Sequence, residues 1–312
     1  MNLKFDFQPY SRPFIKPLKT HHGLWDVREG MIIQLTGEDG KMRQGEISPL
    51  SWFGSETLAD VRKFCESLPF KITENTIFSI PSNLPACQFG FESAWEDLRG
   101  NGREVSHLKN SGLLPTGKAA LSAWRGLVAA GYQTLKWKIG VDRIEHELNL
   151  FEELVGEMAT TEGLFLRLDA NGGLTVSEAD RWLRVCDKIS EQIPNLTVEF
   201  LEQPLPVDEF DGMLELSDRH STPLALDESV ATLPQMRDCY RNGWRGIFVI
   251  KPAIAGSPRQ LRNFCQTHAI DAVFSSVFET EIGREAALQL AAELSRSDRA
   301  VGFGVGHWFS SD

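Results

Sequence analysis

The sequence of this 312-residue chain has no CxxC pair, no apolar run long enough to span a bilayer, no glycine-rich phosphate loop and no surplus of positive charge. Each absence removes a class of protein. Lys and Arg total 32 against 43 Asp and Glu, a formal charge of -11, so the basic face of a general nucleic-acid binder is missing and no nucleic-acid partner is expected. The five cysteines, Cys65, Cys87, Cys186, Cys239 and Cys265, are odd in number and scattered. Reduced thiols in a cytoplasmic protein are the expectation. The opening MNLKFDFQPY lacks the apolar core of a signal peptide, and no membrane association is expected. GxGxxG and GxxxxGK followed by Ser or Thr are both absent, which argues against a doubly wound nucleotide-binding sheet. GFGVG near the C-terminus has the wrong spacing and nothing helical after it. What remains, 42% hydrophobic and 24% charged residues, is an ordinary globular composition.

Two patterns divide the chain. Residues 1–110 place strand-like runs (KFDFQPY, MIIQLTG, GEISPL) before two amphipathic helices, around ETLADVRKFCESL and FGFESAWEDL, as in a compact α+β unit. From residue 111 to 304 helices alternate with strands. Helices over 118–129, 143–158, 177–189, 208–217, 233–240, 257–267 and 281–294 lead into TLKWKI, LFLRLD, TVEFLE, PLALDE, GIFVIK, AVFSS and VGFGVG. With NSGLLPT as a weak first strand the count is eight, the number that closes a parallel barrel. About 190 residues is short for a fold that usually takes about 250, so its helices or strands must be short. The predicted fold class is α/β, a (β/α)7β TIM-like barrel with an N-terminal α+β capping domain, joined by the tail 305–312.

LKWKIG, residues 135–140, sets two lysines around one tryptophan. In an extended chain Lys136 and Lys138 share one face while Leu135, Trp137 and Ile139 share the other. Two readings are open locally: the solvent side of an edge strand, or a polar interior mouth. The other strands also end in ionisable residues: Arg167 and Asp169, Glu202, Asp227, Lys251. In an α/β barrel these ends meet where active sites lie. Asp169 or Asp227 alone would serve as a turn or helix-cap residue. Three carboxylates on successive strand ends repel one another and require either protonation or a cation. An all-oxygen set suits Mg²⁺. A metal-polarised carboxylate would allow a nearby amine to remove the α-proton, and neighbouring cations would make Lys138 a candidate base. His21 and His22 read as solvated loop residues, and Trp25, Trp52 and Trp308 as packing.

LKWKIG, RLDANGG, FLEQPL, LALDES, VIKPAIAGS and SSVFETEIG, in that order, resemble the enolase superfamily, in its muconate-lactonising-enzyme-like branch with a KxK motif. The resemblance covers nearly the whole chain. It implies Mg²⁺, with Mn²⁺ as a substitute, held by Asp169, Glu202 and Asp227; Glu202 is preferred to Glu199 because it directly precedes GlnPro. It implies Lys138 as the base, Lys136 as its electrostatic support, Lys251 facing the other side of an enediolate and Arg167 tuning Lys138. Ser275, Ser276 and Asn171 are the implied substrate contacts. A small-molecule carboxylate is the implied partner, and the capping loop KPLKTHHGLW is expected to close over the mouth. The implied reaction is syn dehydration of 2-succinyl-6-hydroxy-2,4-cyclohexadiene-1-carboxylate to o-succinylbenzoate in menaquinone or phylloquinone biosynthesis. Racemisation of N-succinylamino acids and epimerisation of dipeptides use the same lysine pair and stay open. A binding protein on this scaffold would lack a ligand or a lysine, and none is missing.

Overall fold

A computed structural model of the chain describes residues 2–20, 23–98, 105–296, 299–305 and 308–309. Four antiparallel strands come first: β1 (Asn2–Thr20), β2 (Gly23–Thr36), β3 (Met42–Ile47) and β4 (Lys71–Thr73), in the order β3-β2-β1-β4. Alternate residues Leu3 and Phe5, and Met31, Ile33 and Leu35, are buried, as the twofold repeat of a strand requires. They pack with α1 (Leu58–Ser67), α2 (Glu74–Phe78) and α3 (Pro85–Leu98) in one core. Thr57 and Asp60 start α1 with reciprocal capping bonds of 3.1 Å.

The chain then alternates strand and helix. In order these are β5 (Gly112–Leu113), α4 (Ala120–Ala129), β6 (Thr134–Lys138), α5 (Ile144–Met158), β7 (Leu164–Asp169), α6 (Val176–Gln192) and β8 (Leu196–Glu202). The series continues with α7 (Phe210–Arg219), β9 (Leu224–Leu226), α8 (Leu233–Arg241), β10 (Ile247–Ile250), α9 (Pro252–Ala255), α10 (Pro258–His268), β11 (Ala272–Phe274) and α11 (Glu281–Leu294). β5 to β11 pair in sequence order, all parallel. The ring is closed by parallel bridges Asn110–Val301 and Ser275–Gly302. The structure is therefore a (β/α)7β barrel. The expected eighth strand at VGFGVG is reduced, among the described residues, to this bridge pair. A side chain at Gly302 would meet the Ser275 Cβ at 3.0 Å, so glycine permits the closing approach. Strands of two or three residues at β5, β9 and β11 account for the short barrel segment.

Alternation arranges the barrel interior in layers. Phe200, Ala225, Val249 and Val273 form an apolar layer with Ile247. Two residues further along each strand stand Glu202, Asp227, Lys251 and Ser275, one layer higher at the mouth. Lys136 and Arg167, then Lys138 and Asp169, repeat this spacing and are in register across β6 and β7. The outward residues Leu135, Trp137, Leu166 and Leu168 are buried in the main core. Of the two readings of the lysines, the interior mouth is the one observed.

Buried side chains fasten the capping unit to the barrel. The Glu46 carboxylate accepts from the N–H groups of Thr280 (2.8 Å) and Gly283 (3.0 Å) at the start of α11. Gln88 and Glu92 of α3 accept from Ser257 and Arg259 N–H, both at 3.1 Å, at the start of α10. Acceptors at helix N-termini satisfy donors that the helix leaves open. Arg28 donates to the carbonyls of Ser48, Pro49 and Val277. Phe309 stacks on Phe14 of β1 at 4.8 Å.

β3 crosses α3 at Gly45 and Gly90. A Cβ on Gly45 would lie 2.0 Å from the Gly90 carbonyl oxygen, and neither backbone can yield. Gly45→Ala is expected to cost about 3 kcal/mol or more, measured by denaturant unfolding; wild-type stability would show that the strand and helix do not meet.

Candidate active site

The mouth brings the carboxylates of Asp169, Glu202 and Asp227 together with the amines of Lys136, Lys138 and Lys251. The Lys136 Nζ lies 2.8 Å from both Asp169 Oδ2 and Glu202 Oε1. Lys251 pairs with Asp227 and stands 4.2 Å from the centre of the Phe53 ring. Lys138, half-buried at the end of β6, makes no hydrogen bond or ion pair among the described residues. The three carboxylates come from the ends of β7 and β8 and from the residue after β9.

Burial dominates their electrostatics. It pushes Glu202 up to about 8, with Asp169 adding repulsion and Lys136 opposing it. Burial also raises Asp227 to about 6, against the attraction of Lys251 and with repulsion from Glu228. For Lys136, burial works against the charge, but Asp169, Glu202 and Asp227 outweigh it and hold the ammonium form. The site therefore draws cations strongly. Among the described residues no three His, Cys, Asp or Glu side chains converge closely enough to hold a metal as they stand. Asp169 and Glu202 are turned onto Lys136, and Asp227 onto Lys251.

Glu228 was not foreseen. Its Oε1 accepts from Asn171 Nδ2 at 3.1 Å, and its buried Oε2 has no partner. Asn171, expected at the substrate, has its amide on Glu228 and its N–H on Asp169 Oδ1 at 3.0 Å. Adjacency to Asp227 was the only sequence signal for Glu228.

Arg167 lies in the layer below the mouth and is paired with an acid. Its Nε and Nη2 lie 2.7 and 3.2 Å from the Glu199 carboxylate, which also receives Arg299 at 2.7 Å. The guanidinium is thus committed to Glu199, with Arg167 one layer below Lys138 and Asp169 on the paired strands. The pairing depends on a register shift between β7 and β8, where Leu166 faces Val198 but Arg167 faces Phe200. Glu199 is the extra residue of that bulge.

The seventh strand leads into a tight loop. Ser276 Oγ donates to Glu279 Oε2 and accepts from Phe278 N–H, both at 2.9 Å, while Ser275 Oγ is buried without a partner. Only Ser275 thus has an uncommitted hydroxyl. Phe278 takes a left-handed φ of 63° and packs edge-on against Phe14 and Trp25, each at 5.5 Å. Trp25 also packs on Trp52 at 5.6 Å. These rings and Phe53 form an aromatic wall where the cap meets the mouth; Phe278, in the loop after β11, gave no periodic signal. His21 and His22 lie outside the described residues.

Comparison with known proteins gives the family. Residues 119–309 match the family described as enolase C-terminal domain-like, and residues 9–98 that described as MenC, N-terminal domain. The chain is 36% identical to an o-succinylbenzoate synthase of Thermosynechococcus vestitus, over 99% of this chain and 94% of that protein. The crystal structure of the o-succinylbenzoate synthase of Thermosynechococcus elongatus BP-1, complexed with Mg in the active site, superposes with a TM-score of 0.91 at 35% identity, covering 99% and 95% of the two chains. An N-succinylamino acid racemase of Amycolatopsis is 27% identical over 58% of this chain and 46% of its own length.

Burial raises the Glu279 carboxyl from 4.5 to about 7, against the bonds from Val277 N–H and Ser276. Between those values the folded protein keeps a proton that the unfolded chain has lost, so stability falls as pH rises through the window. Glu279→Gln should remove that contribution. Its melting midpoint relative to wild type is expected to rise between pH 5 and pH 8, and a constant difference would refute the raised carboxyl.

Proposed function

The chain belongs to the o-succinylbenzoate synthase family of the enolase superfamily, and from that premise we propose how its own residues carry out the reaction. The activity is a lyase reaction, Mg²⁺-dependent syn dehydration of 2-succinyl-6-hydroxy-2,4-cyclohexadiene-1-carboxylate to o-succinylbenzoate on the way to a quinone. The observation that carries the residue assignment is the convergence of three buried carboxylates and an unpaired amine on one barrel mouth.

The donor set fits Mg²⁺. It is all oxygen, comes from adjacent strand ends, and is buried so deeply that two of its acids are pushed to about 8 and about 6. Ammonium groups stand against those oxygens in the structure. Asp169, Glu202 and Asp227 would hold the ion by exchanging Lys136 and Lys251 for it. When bound, Mg²⁺ draws electron density from the substrate carboxylate and makes the α-proton removable.

Lys138 removes that proton. Its amine is on the second strand of the ring, and Lys251 is on the sixth, directly across. Lys138, now an ammonium, then protonates the departing hydroxide from the same face. Lys251 supports the enediolate from the opposite face by its charge. Lys136 holds positive charge beneath both groups. Ser275 supplies a free hydroxyl for the succinyl end, with the aromatic wall of Trp25, Trp52, Phe53 and Phe278 beside it. Arg167 supports Glu199 in the layer beneath the mouth.

The opposed lysines also suit proton exchange between two faces, the chemistry of N-succinylamino acid racemases and dipeptide epimerases. We assign residues 1–110 to the capping domain and 111–304 to the barrel; the stacking of Phe309 on Phe14 supports joining the tail to the cap. No described helix is long and apolar enough to cross a membrane. A cytoplasmic location is part of the proposal.

Lys138→Ala should lower kcat by about 10² to 10⁴-fold with Mg²⁺ affinity retained, and undiminished turnover would exclude it as the base. Supplied separately with the cyclohexadiene, N-succinylamino acids and dipeptides, the purified protein is expected to turn over the first. Turnover of the latter substrates alone would overturn the dehydratase assignment.

A further inference from the structure

Gln203, directly after Glu202, is fully buried and has a left-handed φ of 36°. A side-chain amide has two acceptor positions and two N–H donors, and all four are used here. The Oε1 accepts from the N–H groups of Asp227 (3.0 Å) and Ser229 (3.2 Å). The Nε2 donates to the Leu205 carbonyl (2.9 Å) and to Ser229 Oγ (2.8 Å). Its backbone reaches further. The Gln203 carbonyl accepts from Gly172 N–H at 2.7 Å, in the loop after Asp169, and its N–H donates to the Ala225 carbonyl at 2.8 Å. One residue thus touches the three segments that carry Asp169, Glu202 and Asp227.

The pattern demands an amide. Two backbone N–H groups need an acceptor and one backbone carbonyl needs a donor, all away from water. A hydrocarbon side chain leaves every one of them open, and each open buried group carries a desolvation penalty. Residues that orient metal ligands in this way commonly control the affinity of the site without touching the ion.

We propose that Gln203 is a positioning residue that sets the spacing of Glu202, Asp227 and the Asp169 loop so that the three carboxylates can share one divalent cation. The proposal rests on the ligand assignment above. Gln203 acts through those carboxylates.

The test is calorimetric titration of Mg²⁺ into the full-length protein without substrate, alongside thermal melts. Gln203→Met keeps the side-chain length and loses all four side-chain bonds; the Mg²⁺ Kd is expected to rise about 10- to 100-fold. Ser229→Ala removes one of the four, with an expected rise of roughly two- to tenfold. Thr57→Ala, which removes only the cap of α1, should lower the melting midpoint and leave the Mg²⁺ Kd unchanged. A Gln203→Met protein that melts early but binds Mg²⁺ like wild type behaves as a mere brace and overturns the proposal. If that variant does not fold, an unchanged Kd in Ser229→Ala overturns it. Asp227→Asn separates the two levels. Unchanged affinity there overturns the ligand assignment and the proposal with it, whereas weakened affinity there with none lost in Gln203→Met overturns the proposal alone.

Discussion

Mutual repulsion among three buried carboxylates is the constraint around which the barrel mouth is built. Asp169, Glu202 and Asp227 occupy neighbouring strand ends, where burial and repulsion push Glu202 to about 8 and Asp227 to about 6. Such a cluster persists in a folded protein only if it is protonated or positive charge is brought to it, and Lys136 and Lys251 bring that charge in this structure. The same electrostatics that make the cluster expensive make it a cation site. They also leave Lys138 as the mouth amine with no carboxylate among the described residues, which is what a base requires.

Much of this was legible because strands alternate. One parity rule, applied to LKWKIG, set Lys136 and Lys138 on one face and their apolar neighbours on the other, and the burial pattern of β6 follows it. The rule falls short at β8. A bulge at Glu199 turns that residue toward Arg167, so the guanidinium is paired one layer below the mouth. Sequence alternation carries no mark of an inserted residue. Ser276 was likewise indistinguishable from Ser275 in the sequence, and only the folded loop shows that its hydroxyl is committed to Glu279 and Phe278. Phe278 reaches the mouth from the loop after β11, where no periodicity exists to be read.

Fastening of the cap bears on how the mouth can close. Glu46, Gln88 and Glu92 satisfy the open N–H groups of α10 and α11, and Arg28 ties the cap to Val277 beside the seventh strand loop. Swinging the cap away would break all of these contacts at once.

Strand number then explains how one scaffold serves two chemistries. Lysines on the second and sixth strands of an eight-position ring face each other whatever substrate lies between them. With Lys138 as the proposed base, a hydroxyl leaving from its face would give syn elimination, and ring aromatisation would draw that reaction forward. A substrate without such a leaving group can only return a proton, from the same face or from Lys251. The barrel frame is common to both outcomes, so the choice between them rests with residues that orient the ring and the succinyl arm. We propose the hydroxyl of Ser275 and the aromatic wall for that part, groups set around a frame on which the carboxylate cluster sits.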